Sequence, residues 1–164
     1  MAENKVLQDL MEAFAGESQA SRKYWAYAKK AEAEGRKNAA KLFRAASEAE
    51  TLHAQRHLKV AGKLLSTAEN LQDAVKGETY EFESMYPEFI KAAEEAGDKE
   101  AIKTYTYAME AEKVHAKLYK EALENIDEKE EVFYYLCPVC GNIEKSTPEK
   151  CHICNTPGSK FIKY

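Results

Sequence analysis

Apolar residues recur every three or four positions through the first three-quarters of the chain, the period of helices that bury one face. Leu7, Leu10, Met11, Phe14, Ala20, Tyr24 and Ala28 follow this spacing, which predicts a first helix from Asn4, a capping residue type, to Glu34, with Gly35 ending it. A second helix is predicted over 38–65, with Ala40, Phe43, Ala46 and Leu64 on or near its buried side. The stretch Ser66 to Gly77, carrying Thr67, Asn70 and Gly77, reads as a long connection of the crossover kind. A third helix starts near Glu78 and ends before Gly97, bent or restarted by Pro87, and Asp98 caps a fourth that reaches about Ile126. The pattern then stops. Gly, Pro, Asn and Thr cluster after residue 136, and Asp127-Glu128-Lys129-Glu130-Glu131 looks like a solvated linker. The fold class expected is an all-α four-helix bundle over 1–130, followed by a small metal-binding module of loops and short strands over 131–164.

Polar residues interrupt the apolar stripes at chosen places. Glu17 stands inside the first stripe, and a buried unpaired charge costs several kcal/mol or more, so it needs a partner, a proton or a cation. Farther along, a seven-residue phrase occurs twice: Glu48-Ala49-Glu50-Thr51-Leu52-His53-Ala54 and Glu110-Ala111-Glu112-Lys113-Val114-His115-Ala116, identical at five positions. Residues three apart share a helix face, so Glu50 with His53, and Glu112 with His115, each present a carboxylate beside an imidazole. Each phrase also follows a Glu at a matching distance: Glu17 lies 33 residues before Glu50, and Glu81 lies 31 before Glu112. A repeated helical hairpin is implied. One Glu from each of two helices, plus Glu-x-x-His from each of the other two, is the ligand arrangement of ferritin-like di-iron carboxylate proteins. His57, one turn beyond His53, is set aside as an outer or surface histidine, because Tyr119 occupies its place in the second phrase.

The set Glu17, Glu50, His53, Glu81, Glu112 and His115 is oxygen-rich with two nitrogens, which suits iron or manganese better than zinc. Its four carboxylates balance two ferrous ions, so the reduced site is neutral and tolerates a dry interior. The cysteines form a second constellation. Cys137, Cys140, Cys151 and Cys154 make two CxxC pairs ten residues apart, able to wrap one tetrahedral ion in four thiolates. By spacing alone, zinc and iron are both open there. Fusion to a site that must be re-reduced favours iron, which passes electrons, over zinc, which does not and would enter in a foreign host.

Overall balance narrows the remaining classes. A net charge near −4 provides no basic footprint for nucleic acid. No run of about 18 apolar residues occurs to span a bilayer, and Met1-Ala2-Glu3-Asn4-Lys5 has no leader core, so a cytoplasmic protein is expected.

Over essentially its full length the chain resembles the rubrerythrins: Ala13-Phe14-Ala15-Gly16-Glu17-Ser18-Gln19-Ala20, the two Glu-x-x-His phrases, Gly77-Glu78-Thr79-Tyr80-Glu81 leading to Met85-Tyr86-Pro87, and the rubredoxin-like knuckles. The resemblance implies a non-haem peroxidase that reduces hydrogen peroxide to water. Electrons would enter through the rubredoxin-like iron from an external reductase or a rubredoxin, ultimately from NAD(P)H. It implies a homodimer in which the thiolate iron of one subunit serves the di-iron site of the other. It implies Glu50 and Glu112 as bridging ligands, Glu17 and Glu81 as terminal ones, His115 on one iron, and His53 on the other in the reduced state. It further implies a Glu just before Met-Tyr-Pro, where this chain has Ser84. Glu83 points about 200° away from Glu81 round a helix. Redox-linked iron movement toward His53 is therefore expected to be weak or absent. Two other classes compete: a ferroxidase or iron-handling protein, and a non-enzymatic bundle with a structural zinc ribbon.

Overall fold

The computed structural model describes residues 2–164, with side chains from Asn4 onward; Met1, part of the stretch read for a leader, lies outside the described residues. Helix α1 spans Ala2–Ala33 and α2 spans Lys37–Val60. Helix α3, Thr67–Tyr80, runs through a π-helical turn, Glu81–Met85, into α4, Tyr86–Ala96, and α5 spans Lys99–Glu124. Counting α3, the π turn and α4 as one bent helix gives the four helices expected. Three two-residue strands follow, β1 (Tyr135–Leu136), β2 (Ile143–Glu144) and β3 (Ile162–Lys163), in an antiparallel sheet of order β2-β1-β3. Among the described residues no helix is long and apolar enough to cross a membrane.

The chain divides into two compact units, Met1–Leu65 and Ser66–Tyr164. In the first, α1 and α2 form a hairpin turned at Gly35, whose φ of +72° a side chain would resist. Small residues let the helices approach closely: Ala28, Ala31, Ala40 and Ala54 are buried along the seam. Ser21 and Ser47 are buried there too, and their hydroxyls are satisfied across it. Ser47 donates to the Ser21 carbonyl (2.9 Å), and the Ser21 and Thr51 hydroxyls meet at 2.8 Å. Arg44 forks onto Glu32 with two 2.8 Å bonds, an exposed pair worth at most about 1 kcal/mol.

In the second unit, the stretch read as a crossover is helical. Ser66 accepts from the Glu69 backbone N–H, and the Glu69 carboxylate accepts from the Ser66 N–H. This reciprocal cap satisfies amides that a helix start leaves orphaned and is worth about 1 kcal/mol, enough to outweigh Asn70 and Gly77 in a short helix. Consequently α2 ends at Val60 rather than residue 65, and only a short turn separates it from α3. Pro87 acts as expected. It stands in the first turn of α4, where its missing N–H costs least, and the π turn just before it absorbs the change of register. Tyr86, Phe89 and Tyr105 pack ring against ring between α4 and α5, with centroids 5.6–6.2 Å apart. Asp98 caps α5 by accepting from the Ala101 N–H at 3.0 Å.

Candidate metal centres

Helices α1 and α2 bring Glu17, Glu50 and His53 together, with one donor atom from each inside a 4.8 Å group. His53 Nδ1 lies 3.0 Å from a Glu50 carboxylate oxygen, as the three-residue spacing on one helix face requires. This half is open: the His53 side chain is 58% exposed and Glu50 22%.

The second unit builds the corresponding set from Glu78, Glu112 and His115. His115 Nδ1 lies 2.6 Å from Glu112, and both side chains are only 16% exposed. The other ring nitrogen, Nε2, lies 2.9 Å from the Gly141 carbonyl oxygen. A carbonyl only accepts, so Nε2 carries the proton and Nδ1 is the edge left to a metal. Without a metal, burial works to lower the His115 pKa, but the bonds to Glu112 and Gly141 and the nearby Glu78 charge outweigh it and hold the imidazole above its usual range.

Glu78 is the member of this group that the sequence reading did not name. It had a signal: Glu78 precedes Glu112 by 34 residues, closer to the 33 between Glu17 and Glu50 than the 31 from Glu81. Glu81 lies one helical turn beyond Glu78, outside the group of three. It remains within electrostatic reach, since burial and then the Glu112 charge raise its carboxyl pKa. Burial, followed by repulsion from Glu112, pushes Glu78 up to about 7. Such crowding of carboxylates is what a bound cation relieves. The additional carboxylate of this helix lies one turn before Glu81 rather than one turn after it, and Ser84 itself is exposed. Two tyrosines register the same charges. Tyr86 and Tyr119 both keep their protons above the ordinary range, first through burial, then through Glu81, Glu112 and Glu78 at Tyr86 and through Glu78 and Glu112 at Tyr119.

The four cysteines come together as expected, as free thiols. Sγ atoms of Cys137 and Cys154, and of Cys140 and Cys151, are 3.5 Å apart, close to the roughly 3.8 Å edge of a tetrahedron with metal–sulfur bonds of about 2.3 Å. The two knuckles repeat one turn. Gly141 and Asn155, each following the second cysteine, take φ of +83° and +60°, and their N–H groups bond back to the carbonyls of Cys137 and Cys151. Gly158 closes the module: a Cβ there would sit 1.6 Å from the Pro148 carbonyl oxygen. Burial raises the Cys154 pKa, but the Thr156 hydroxyl and N–H reverse this and draw it down to about 6, so thiolate is ready for a metal. His152 is exposed and pairs with Glu144 at 3.0 Å, outside the thiol shell.

Residues 9–123 match the family model described as Rubrerythrin. Nigerythrin from Nitratidesulfovibrio vulgaris is 36% identical over 178 residues, covering 99% of this chain and 88% of that protein. Rubrerythrin-2 from Clostridium acetobutylicum is 34% identical, covering 93% and 92%. Among solved structures, nigerythrin in a mixed-valent state superposes with a TM-score of 0.60 at 37% identity, covering 97% of this chain and 86% of that one. Nigerythrin has also been solved partially reduced and fully reduced, all ferrous. The fold is therefore a ferritin-like helical domain followed by a rubredoxin-like module. Its carboxylate–imidazole sets suit a pair of irons, and its four thiolates suit a third.

Proposed function

The chain belongs to the rubrerythrin family of di-iron oxidoreductases, and from that premise we propose that it is a peroxidase reducing hydrogen peroxide to water. Overall, H2O2, two electrons and two protons give two waters. The iron pair would supply both electrons at once, and the thiolate-bound iron would restore them singly. In this reading Glu50 and Glu112 would serve both irons, Glu17 and Glu78 would each add a carboxylate, and His53 and His115 would each add an imidazole. Glu81 stands beside the His115 end as a further carboxylate. Tyr86 and Tyr119, which hold their hydroxyl protons firmly, orient carboxylates and keep protons near the cleaved oxygens.

The observation that carries the reading is His115. One edge of its ring meets Glu112, and the other bonds to the carbonyl of Gly141, the residue next to Cys140, so backbone and one hydrogen bond join the thiolate set to the carboxylate set within one chain. A structural zinc ribbon has no use for that link. A homodimer, expected from the family, would add cover to the exposed Glu50–His53 half.

The test is anaerobic turnover with reduced rubredoxin as donor, on red, iron-replete protein. Peroxide-dependent oxidation of the donor, lost in Cys140→Ser while the carboxylate sites keep their iron, is the expected result. Reaction with dioxygen alone, accompanied by iron uptake, would replace the proposal with the ferroxidase reading. Colourless, zinc-loaded protein from the native source would favour the structural one.

A further inference from the structure

We propose that Asn142 is a positioning residue for the thiolate iron: its buried side-chain amide holds a hydrogen on the Cys151 sulfur and so raises the reduction potential of the metal. The proposal rests on iron occupying the four thiolates and names what poises that iron to take up electrons.

Asn142 and Thr156 occupy equivalent places, each five residues after the first cysteine of its knuckle. Their carbonyls accept from the N–H groups of Cys137 and Cys151, both at 2.8 Å. Their own N–H groups turn toward sulfur, that of Asn142 to Cys140 and that of Thr156 to Cys154. The side chains then diverge. The Thr156 hydroxyl stays on its own knuckle, 3.1 Å from Cys154 Sγ, whereas Asn142 Nδ2 crosses to Cys151 Sγ of the other knuckle at 3.8 Å. The second hydrogen of that nitrogen goes to a Glu144 carboxylate oxygen at 2.8 Å. The same carboxylate pairs with His152 at 3.0 Å. Asn142 therefore touches sulfur in both knuckles.

The residue is fully buried, and its Oδ1 has no hydrogen-bond partner, alone in this among the buried side-chain nitrogens and oxygens of the described residues. Turning the amide over would not help, because Oδ1 would then face a carboxylate and a sulfur, both acceptors. Half an amide left unsatisfied in a dry place is costly, and an apolar side chain of the same branching, such as Leu, would avoid that cost. What the amide does there and Leu cannot is donate to sulfur. Iron held by four thiolates carries one negative charge when ferric and two when ferrous. A donor at sulfur therefore stabilises the ferrous form more, and the potential rises.

The test is the potential of the iron-loaded full chain, read from its visible thiolate-to-iron absorption in equilibrium with a dye of known potential. Asn142→Leu should shift that equilibrium about tenfold toward ferric iron, or about 59 mV for one electron, with iron content and the ferric spectrum unchanged. Asn142→Asp, which sets an acceptor against Cys151, should shift it further in the same direction. If neither variant retains iron, wild-type protein loaded with NMR-active cadmium decides the matter: the Asn142 side-chain amide proton should show scalar coupling to the metal through Cys151. Absence of that coupling overturns the proposal. So does an equilibrium within twofold of wild type in red, iron-replete Asn142→Leu, where a lowered melting temperature alone would make Asn142 a packing residue. That outcome, with peroxide turnover intact, leaves the parent reading standing. Zinc in the thiolate site of protein from the native source removes both.

Discussion

The two Glu-x-x-His phrases are close to identical in sequence and unlike in surroundings. Both set Nδ1 of the histidine against the glutamate one turn earlier, at 3.0 Å for His53 and 2.6 Å for His115. His53 is largely exposed, whereas His115 is mostly covered and held from behind by the Gly141 carbonyl. Helix spacing alone makes the pair; whatever packs on the second ring nitrogen makes it rigid. Backing of this kind fixes the tautomer and raises ligand basicity, and its loss commonly costs 10–100-fold in metal affinity or activity. The half tied to the cysteine module is thus preorganised before any metal arrives.

That contrast can be broken most sharply at the histidines. His115→Ala should lower peroxide turnover by about 100-fold or more and His53→Ala by only about 10-fold, with iron content per chain following the same order. Equal losses would mean that backing by Gly141 is irrelevant. Next in size, Glu78→Gln should cost about 10–100-fold in turnover or iron affinity. Ser84→Ala, on the same bent helix, should change neither, as measured by iron content and steady-state rate.

A pH titration sharpens the comparison without altering a residue. In the metal-free protein Glu78 titrates near 7 rather than at the usual 4.5, so the folded state keeps a proton that the unfolded chain has released. This term therefore removes stability as pH rises from about 4.5 to 7. His115 is raised above 6.5, so its stabilising contribution is complete below that value and is lost as pH rises through its folded pKa. Both act in one direction. Metal-free protein should lose about 1–2 kcal/mol between pH 5 and 8 in urea melts, after allowing for partial solvent screening. Metal affinity should rise over the same interval, because binding displaces those protons. The smallest effect concerns the scaffold: Ser66→Ala should cost about 1 kcal/mol and about 2–4 °C in Tm, with iron content unchanged.

Much of this arrangement is legible in the amino-acid sequence. Periodic apolar positions and the Gly35, Gly97 and Asp98 punctuation located α1 and α5 and the turn between α4 and α5, because caps and positive-φ glycines act locally. The CxxC spacing foretold the thiol cluster for the same reason. Helix α3 was hidden because Thr67, Asn70 and Gly77 carry turn propensity, which the Ser66–Glu69 reciprocal cap overrides. Glu78 was hidden with it, since a residue read as the edge of a helix is not considered for an inward face. The unequal burial of the two phrases had no local signal, because it depends on a contact 26 residues away, between His115 and Gly141.

The central claim is that thiolate and carboxylate sites act as one redox unit on peroxide. Its most direct test is to reduce the iron-loaded protein fully under argon, mix it with one equivalent of hydrogen peroxide per chain in a stopped-flow instrument, and follow the visible and Mössbauer spectra. The account expects loss of the ferrous carboxylate signal within the first phase, followed by oxidation of the thiolate iron as it passes its single electron to the carboxylate site, with all iron retained. Unchanged ferrous spectra under peroxide, or oxidation of the thiolate iron alone, would contradict it.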